Sequence, residues 1–178
     1  FKQINVSSAY SKGWTGKGSI VAVADTGYDK DHKEFDGQIH STKDYTDTGI
    51  DDTGYKSGSN TYYHGSHVLG TIVAKKDGDG MHGVAYDSKA IVIKIGNGRS
   101  VDTYKAADGF VWAADQGAVV GNLSANSNYD SSFRSNTVKL NDNTYKNIDT
   151  RYDYANKKFY NEQKPDTWKS VTDKGMII

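Results

Sequence analysis

The stretch GSIVAVADTG (residues 18–27) decides the fold class of this sequence. It is a short apolar run, partly β-branched and bounded by glycines, which is typical of a strand buried on both faces of a parallel sheet. Two later runs, KAIVIKIG (89–96) and AVVGNLSA (118–125), have a similar character. The first run therefore predicts a buried parallel strand, and the two later runs predict a second and a third strand.

Helical patterns separate these strands. GSHVLGTIVAKK (65–76) has the length of a helix and ends in lysines, which suit a helix C-terminus. VDTYKAADGFVWAADQGA (101–118) carries its apolar side chains on one stripe and ends at Gly117, as an amphipathic helix with a glycine cap does. Strands that alternate with helices predict an α/β fold with a mainly parallel central sheet and right-handed crossovers.

Composition limits the classes of function. A chain of 178 residues fits one domain. Lys plus Arg equals Asp plus Glu at 22 each, so no basic excess exists to neutralise phosphates, and no nucleic-acid partner is expected. The longest apolar run is far shorter than the ~20 residues of a membrane span. The absence of cysteine excludes disulfides, thiolate catalysis and cysteine zinc sites.

The last third of the chain differs in character. Residues 129–164 form a polar insertion rich in Asn and Tyr, which we interpret as an ordered surface excursion rather than as disorder. KPDTWKSVTDKG (164–175) then predicts a helix, with proline at its first position and glycine just past its end. Only Met176, Ile177 and Ile178 follow, so we expect a strand to begin there and the polypeptide to be longer.

Polar residues stand where the predicted strands end. In open parallel sheets, functional groups gather at the carboxyl ends of strands. Asp25 ends the first strand, Asn122 and Ser124 end the third, and His64 lies at a loop-to-helix junction. If they converge, they suggest acid–base machinery of the Ser-His-Asp type, in which a carboxylate fixes the imidazole tautomer. The simpler alternative is that Asp-Thr-Gly is only a turn.

Four segments resemble the subtilisin-like serine proteases. VAVADTGYDKDHKEF (21–35) resembles their aspartate motif, HGSHVLGTIVA (64–74) their histidine motif, GMHGVAYDSKAIVIKI (80–95) the following turn and strand, and NLSANS (122–127) their substrate-binding strand. The resemblance implies an α/β, three-layer fold, incomplete at the C-terminus, so that residues 1–178 are the N-terminal portion of a peptidase domain. The chain looks most like the autotransporter branch of that family in its long insertion, its GMHGVA sequence and its lack of cysteine.

The resemblance also implies a reaction. Asp25 and His64 match the carboxylate and the general base of an Asp-His-Ser triad that hydrolyses peptide bonds, whereas His67 matches a structural position. The nucleophilic serine and the oxyanion-hole asparagine are expected beyond this chain, so the chain alone should be inactive. The implied partners are protein or peptide substrates and the missing part of the same domain. The implied location is secreted or on a bacterial cell surface.

Two segments match those that bind an extended substrate backbone in this family. The second segment departs from the usual glycine-rich pattern, since Asn126 and Ser127 stand there. The matching residues are Arg99, Ser100, Val101 and Asp102 in the first segment, and Leu123, Ser124, Ala125 and Asn126 in the second.

A structural calcium ion is a further expectation, although the chemistry itself requires no cofactor. Glu34 matches a position that often holds a calcium-binding carboxylate, and KKDGDGM (75–81), which contains Asp77, has the length of the partner loop. The alternative is a solvated acidic turn.

Two other functions stay open at this point. The chain could be an inactive relative that is kept as a binding module. It could also be a metal-dependent hydrolase with ligands from His64, His67, His82 and Asp25. The metalloprotease pattern, however, needs a glutamate after its first histidine, and Gly65 stands there.

Overall fold

The computed structural model describes residues 1–52, 56–57, 60–61, 63–98, 100–125, 137–139, 145–147, 152–153, 158–159 and 165–178. Two short 3₁₀ helices span Lys2–Ile4 and Lys33–Phe35. The α-helices are α1 (Val6–Tyr10), α2 (His64–Val73), α3 (Thr103–Asp115) and α4 (Pro165–Asp173). The strands are β1 (Ile20–Asp25), β2 (Ile39–Asp44), β3 (Lys56–Ser57), β4 (Asn60–Thr61), β5 (Lys89–Lys94), β6 (Gly96–Asn97), β7 (Ser100–Val101), β8 (Val120–Leu123), β9 (Thr137–Lys139), β10 (Tyr145–Asn147), β11 (Tyr152–Asp153) and β12 (Lys158–Phe159).

The central sheet has four parallel strands in the order β2-β5-β1-β8. This confirms the predicted α/β class, and all three strands expected from the apolar runs are present. Strand β2 was not predicted from the sequence, because its residues alternate between half-buried and exposed positions and form no continuous apolar run. Among the described strands it lies at the edge of the central sheet.

Helices cover both faces of the sheet and produce three layers. Successive side chains of a strand point to opposite faces. Val21 and Val23 of β1 accordingly pack in a core cluster with Leu69 of α2. The alternating residues of β1, Ala22 and Ala24, belong to a second cluster that contains Phe110 of α3 and Val171 of α4. The α2 layer, the sheet and the α3–α4 layer are thus the three layers that were expected.

The C-terminal helix agrees with its sequence signals. Helix α4 starts at Pro165, and Gly175 beyond its end adopts a φ of +81°, which glycine tolerates best. Ile177 then forms a parallel bridge with Val120 on the free edge of β8.

The polar insertion is described only in part. Strands β9 and β10 form one antiparallel pair, and β11 and β12 form another. The rest of residues 129–164 lies outside the described residues, so the ordered excursion stays a prediction. None of the described helices has the length and apolar character that crossing a membrane requires.

Candidate active site

Asp25 and His64 meet at the carboxyl edge of the sheet. Asp25 is the last residue of β1, His64 is the first residue of α2, and Asp25 Oδ1 lies 2.7 Å from His64 Nδ1. The Asp25 side chain is 2% exposed, whereas the His64 side chain is 51% exposed. The pair therefore combines a buried carboxylate with an imidazole that is half exposed to solvent.

The surroundings of Asp25 fix the orientation of its carboxylate. Its Oδ1 also accepts hydrogen bonds from the backbone N–H of Thr26 at 2.8 Å and from the Thr26 hydroxyl at 3.3 Å, while Oδ2 is buried without a partner. When the carboxylate is the acceptor of this contact, the shared proton lies on His64 Nδ1. In the neutral imidazole, Nε2 then keeps its lone pair and can take up a proton.

Close packing places the start of α2 against the end of β1. The N–H of Gly65 donates to Thr26 Oγ1 at 2.9 Å. A Cβ atom at position 65 would overlap the carbonyl oxygen of Gly27, so only glycine fits there. Thr26 and Gly65 thereby set the distance between strand and helix on which the contact between Asp25 and His64 depends.

Asp52 is a second side chain that accepts hydrogen bonds from the first turn of α2, and it was not predicted as a site residue. Its Oδ2 accepts hydrogen bonds from the N–H of Ser66 at 3.0 Å and from the Ser66 hydroxyl at 3.2 Å. The Ser66 hydroxyl oxygen in turn accepts the N–H of Asp29 at 2.8 Å. Ser66 lies 14 positions from Asp52, so no local capping pattern reveals the pair.

The metal site considered as an alternative is not assembled. Among the described residues, no group of three or more His, Cys, Asp or Glu side chains could hold a metal ion. His82 instead stacks on Phe1 with ring centroids 4.9 Å apart, and its Nδ1 lies 2.9 Å from the carbonyl oxygen of Gly83. His67 is exposed and lines a cavity of about 640 Å³ beside α2.

The two predicted substrate segments flank the end of β1. Val101 pairs with Gly96 in an antiparallel β6–β7 ribbon that follows β5, and the N–H of Asp102 donates to the carbonyl of Ile95 at 2.9 Å. On the other side, Leu123 lies opposite Ala24. Ser124 and Ala125 are exposed beyond the strand.

Not every predicted substrate residue can be placed in full. Arg99 and Asn126 lie outside the described residues, and Ser100 is described only through its backbone pairing with Asn97. Because β5 and β8 are the neighbours of β1 in the sheet, both segments nevertheless begin at the edge that carries Asp25.

Glu34 and Asp77, the predicted calcium residues, differ in their surroundings. Glu34 is 5% exposed and its Oε2 is buried without a partner. Gly80 lies so close to Glu34 Oε1 that a Cβ there would overlap it, so the 75–81 loop approaches this carboxylate at Gly80. A buried, unpaired carboxylate oxygen fits a cation.

Asp77 differs from Glu34 in its exposure and in its partner. It is exposed, and its carboxylate lies 3.1 Å from the ammonium of Lys75. Hydrogen bonds from the backbone of Asp79 and from Lys75 hold the pKa of Asp77 below its usual value. Asp77 is thus paired with a lysine, whereas the buried Oε2 of Glu34 has no hydrogen-bond partner.

Comparisons with known proteins show which sequences this chain resembles. The sequence profile of the Subtilase family matches residues 16–173. Fervidolysin of Fervidobacterium pennivorans is 42% identical over 121 residues, which are 62% of this chain and 17% of that protein. The extracellular serine protease of Serratia marcescens is 38% identical over 94 residues, 52% of this chain and 8% of that protein.

An intracellular relative matches as well. The major intracellular serine protease of Bacillus subtilis is 37% identical over 100 residues, 56% of this chain and 30% of that protein. The matched part of the chain thus spans less than a third of the length of each of these relatives.

Proposed function

Because the chain belongs to the Subtilase family, we propose that it carries the aspartate and the histidine of a serine endopeptidase, Asp25 and His64. The observation that supports this assignment is the 2.7 Å contact between Asp25 Oδ1 and His64 Nδ1. Relatives from Serratia and Bacillus are named serine proteases, which agrees with the assignment.

In this mechanism His64 is the general base. Its Nε2 takes the proton of the serine hydroxyl as that oxygen attacks the carbonyl carbon of the scissile peptide bond, and the peptide nitrogen later receives this proton as it leaves. Asp25 holds the ring in the required tautomer and stabilises the imidazolium that forms. The buried position of the carboxylate strengthens this charge interaction, because little solvent screens it.

We propose that the nucleophilic serine and the oxyanion-hole donor belong to a part of the protein outside these 178 residues. Residues 1–178 would then be the N-terminal portion of the peptidase domain, with 129–164 as an insertion, and would not hydrolyse peptides alone. One observation supports this, since the matched region covers only 17% of fervidolysin.

The substrate of the whole protein is, in this proposal, a protein or peptide. Its backbone would run as an extended strand between residues 99–102 and 123–126, and the flanking positions of β5 and β8 support that arrangement. We further propose the autotransporter branch and a secreted or cell-surface location, which the long polar insertion and the extracellular Serratia relative support.

A structural calcium ion completes the proposal. Glu34 would supply one ligand oxygen, and oxygens of the 75–81 loop that approaches it would supply others. The ion would hold this loop against the 3₁₀ helix that carries Glu34 and would take no part in the reaction.

Reaction of the intact protein with a fluorophosphonate probe tests the proposed function. Such probes form a stable bond with an activated serine, so we expect stoichiometric labelling of one serine outside residues 1–178 and no labelling in His64→Ala. A folded intact protein that takes up no probe and cleaves no peptide would instead be the binding module considered from the sequence. Labelling of a serine within residues 1–178 would contradict the proposed division of the site.

A further inference from the structure

Asp52 is a buried carboxylate that takes no part in the proposed triad. It is 4% exposed, and its Oδ2 accepts both the N–H and the hydroxyl of Ser66. Ser66 lies in the first turn of α2, two positions after His64. The first turn of a helix leaves its N–H groups without partners inside the helix. Asp52 supplies one of the missing acceptors from a distant part of the sequence.

Lys94 fixes the segment that carries Asp52. This lysine is the last residue of β5 and is 3% exposed, and its ammonium donates to the carbonyls of Gly49 at 2.7 Å and Asp51 at 2.6 Å. Burying a charged ammonium is costly unless hydrogen bonds compensate for the lost water. Its two bonds go to one short loop, so Lys94 ties residues 49–51 to the end of β5.

The backbone ties the same segment to β1. The N–H of Tyr28 donates to the carbonyl of Ile50 at 3.2 Å, and the N–H of Asp52 donates to the carbonyl of Tyr28 at 3.1 Å. Gly27 has a φ of +101°, and a Cβ there would overlap the carbonyl oxygen of Ile50. Asp52 thus follows a segment that is held by the end of β5 and by the residues just after β1.

We infer that Asp52 is a positioning residue for His64, and that Lys94 sets Asp52 in place. The inference rests on the proposed function, because the position of His64 affects a rate only if His64 is the general base. Thr26 Oγ1 holds the N–H of Gly65, and Asp52 Oδ2 holds the N–H of Ser66. The two acceptors together define the direction in which α2 starts. With only one of them the first turn can pivot, and the His64 ring moves relative to Asp25.

The test compares Asp52→Ala with Asp52→Asn in the intact protein. Asparagine keeps a carbonyl oxygen that can accept from Ser66, whereas alanine keeps none. Small errors in the placement of a reacting group can cost up to ~10²-fold in rate. We expect Asp52→Ala to lower kcat at least about tenfold with KM unchanged, and Asp52→Asn to stay within about threefold of the parent kcat.

Asp47→Asn is the matched control. Asp47 is exposed on the same loop, and asparagine tolerates its φ of +60°. This variant should keep the parent kcat. A parent-like kcat in Asp52→Ala overturns the inference. An equal loss in Asp52→Ala and Asp52→Asn also overturns it, since the charge and not the hydrogen bonds would then matter.

A spectroscopic measurement separates this inference from the proposed function. The chain has five histidines, so the ring signals of ¹³C-labelled histidine can be assigned with a His64→Ala variant. We expect Asp52→Ala to shift the His64 ring signals and Asp52→Asn to leave them in place. If this shift occurs in a protein that has no peptidase activity, the positioning role of Asp52 stands and the proposed function is rejected. An active protein whose His64 signals do not respond would reject the positioning role alone.

If Asp52→Ala does not fold, the variant Lys94→Met tests the same inference. Methionine keeps an unbranched stem in the core and removes the ammonium that ties the loop. We expect a folded Lys94→Met protein, judged by circular dichroism, to lose kcat with KM unchanged. A parent-like kcat in that variant would overturn the role of Lys94 and with it the inference.

Discussion

Lys94, the last residue of β5, pairs in the sheet register with Asp25 of β1 on one side and with Asp44 of β2 on the other. Its ammonium bonds to the carbonyls of the loop that follows Asp44. The same lysine therefore joins this loop to the strand end that lies beside Asp25.

Asp44 should make the stability of the protein depend on pH. Its carboxylate accepts hydrogen bonds from the N–H of Thr46 at 2.7 Å, from the Thr46 hydroxyl at 2.6 Å and from the N–H of Gly49 at 2.7 Å. Burial alone would raise the pKa of Asp44, but the bonds from Thr46 and Gly49 and the charge of Lys94 outweigh burial, so the pKa lies below its usual value.

The sign of the pH effect follows from this lowered pKa. A carboxyl group whose pKa is lower in the folded state stabilises the protein above its unfolded-state pKa of about 3.9, and this stabilisation is lost as the pH falls through the folded-state value. We expect the free energy of unfolding, measured with urea at pH 7 and pH 3, to fall less on acidification in Asp44→Asn than in the parent. Equal losses in the two proteins would show that Asp44 does not contribute.

Gly65→Ala should destabilise the protein, although alanine favours helices. The new Cβ would overlap the carbonyl of Gly27, and such overpacking costs about 1–3 kcal/mol. Gly70→Ala in the same helix is the control, because its Cβ would meet Phe35 at an ordinary 3.8 Å. Gly70→Ala should be neutral or more stable by up to about 1 kcal/mol in denaturant unfolding. A neutral Gly65→Ala would show that the strand and the helix are not packed as described.

Glu34→Gln should remove a calcium response. If Glu34 binds calcium, the ion stabilises the folded state by mass action, and the Tm of the intact protein rises with calcium and falls with a chelator. Glu34→Gln should abolish most of that difference, whereas Asp31→Asn should keep it, because Asp31 is exposed and paired with Lys30. A calcium-dependent Tm that survives in Glu34→Gln would place the ion elsewhere.

The sequence predicted those features that depend on local pattern and topology. The runs that became β1, β5 and β8 are apolar enough to be predicted as strands, although only β1 and β5 are largely buried. The common edge of a parallel sheet explains why Asp25 and His64 could be expected to meet. The polar edge strand β2 has no such pattern, so it was missed.

Long-range contacts explain the other omissions. Asp52 reaches Ser66 across a loop whose path the sequence does not encode in any simple spacing. The burial of Lys94 runs against the usual exposure of lysine, and it becomes intelligible only once Gly49 and Asp51 lie beside it. The difference between Glu34 and Asp77 likewise depends on how the 75–81 loop folds back on the 3₁₀ helix.

The most direct measurement is peptide hydrolysis by the intact protein with single substitutions in the pair. We expect His64→Ala to lower kcat/KM by several orders of magnitude, and Asp25→Asn to lower it by about 10⁴-fold, because an asparagine cannot hold the ring in the required tautomer. His67→Ala, which changes an exposed histidine of the same helix, should stay near the parent value. Parent-like turnover in a folded His64→Ala or Asp25→Asn protein would contradict the account.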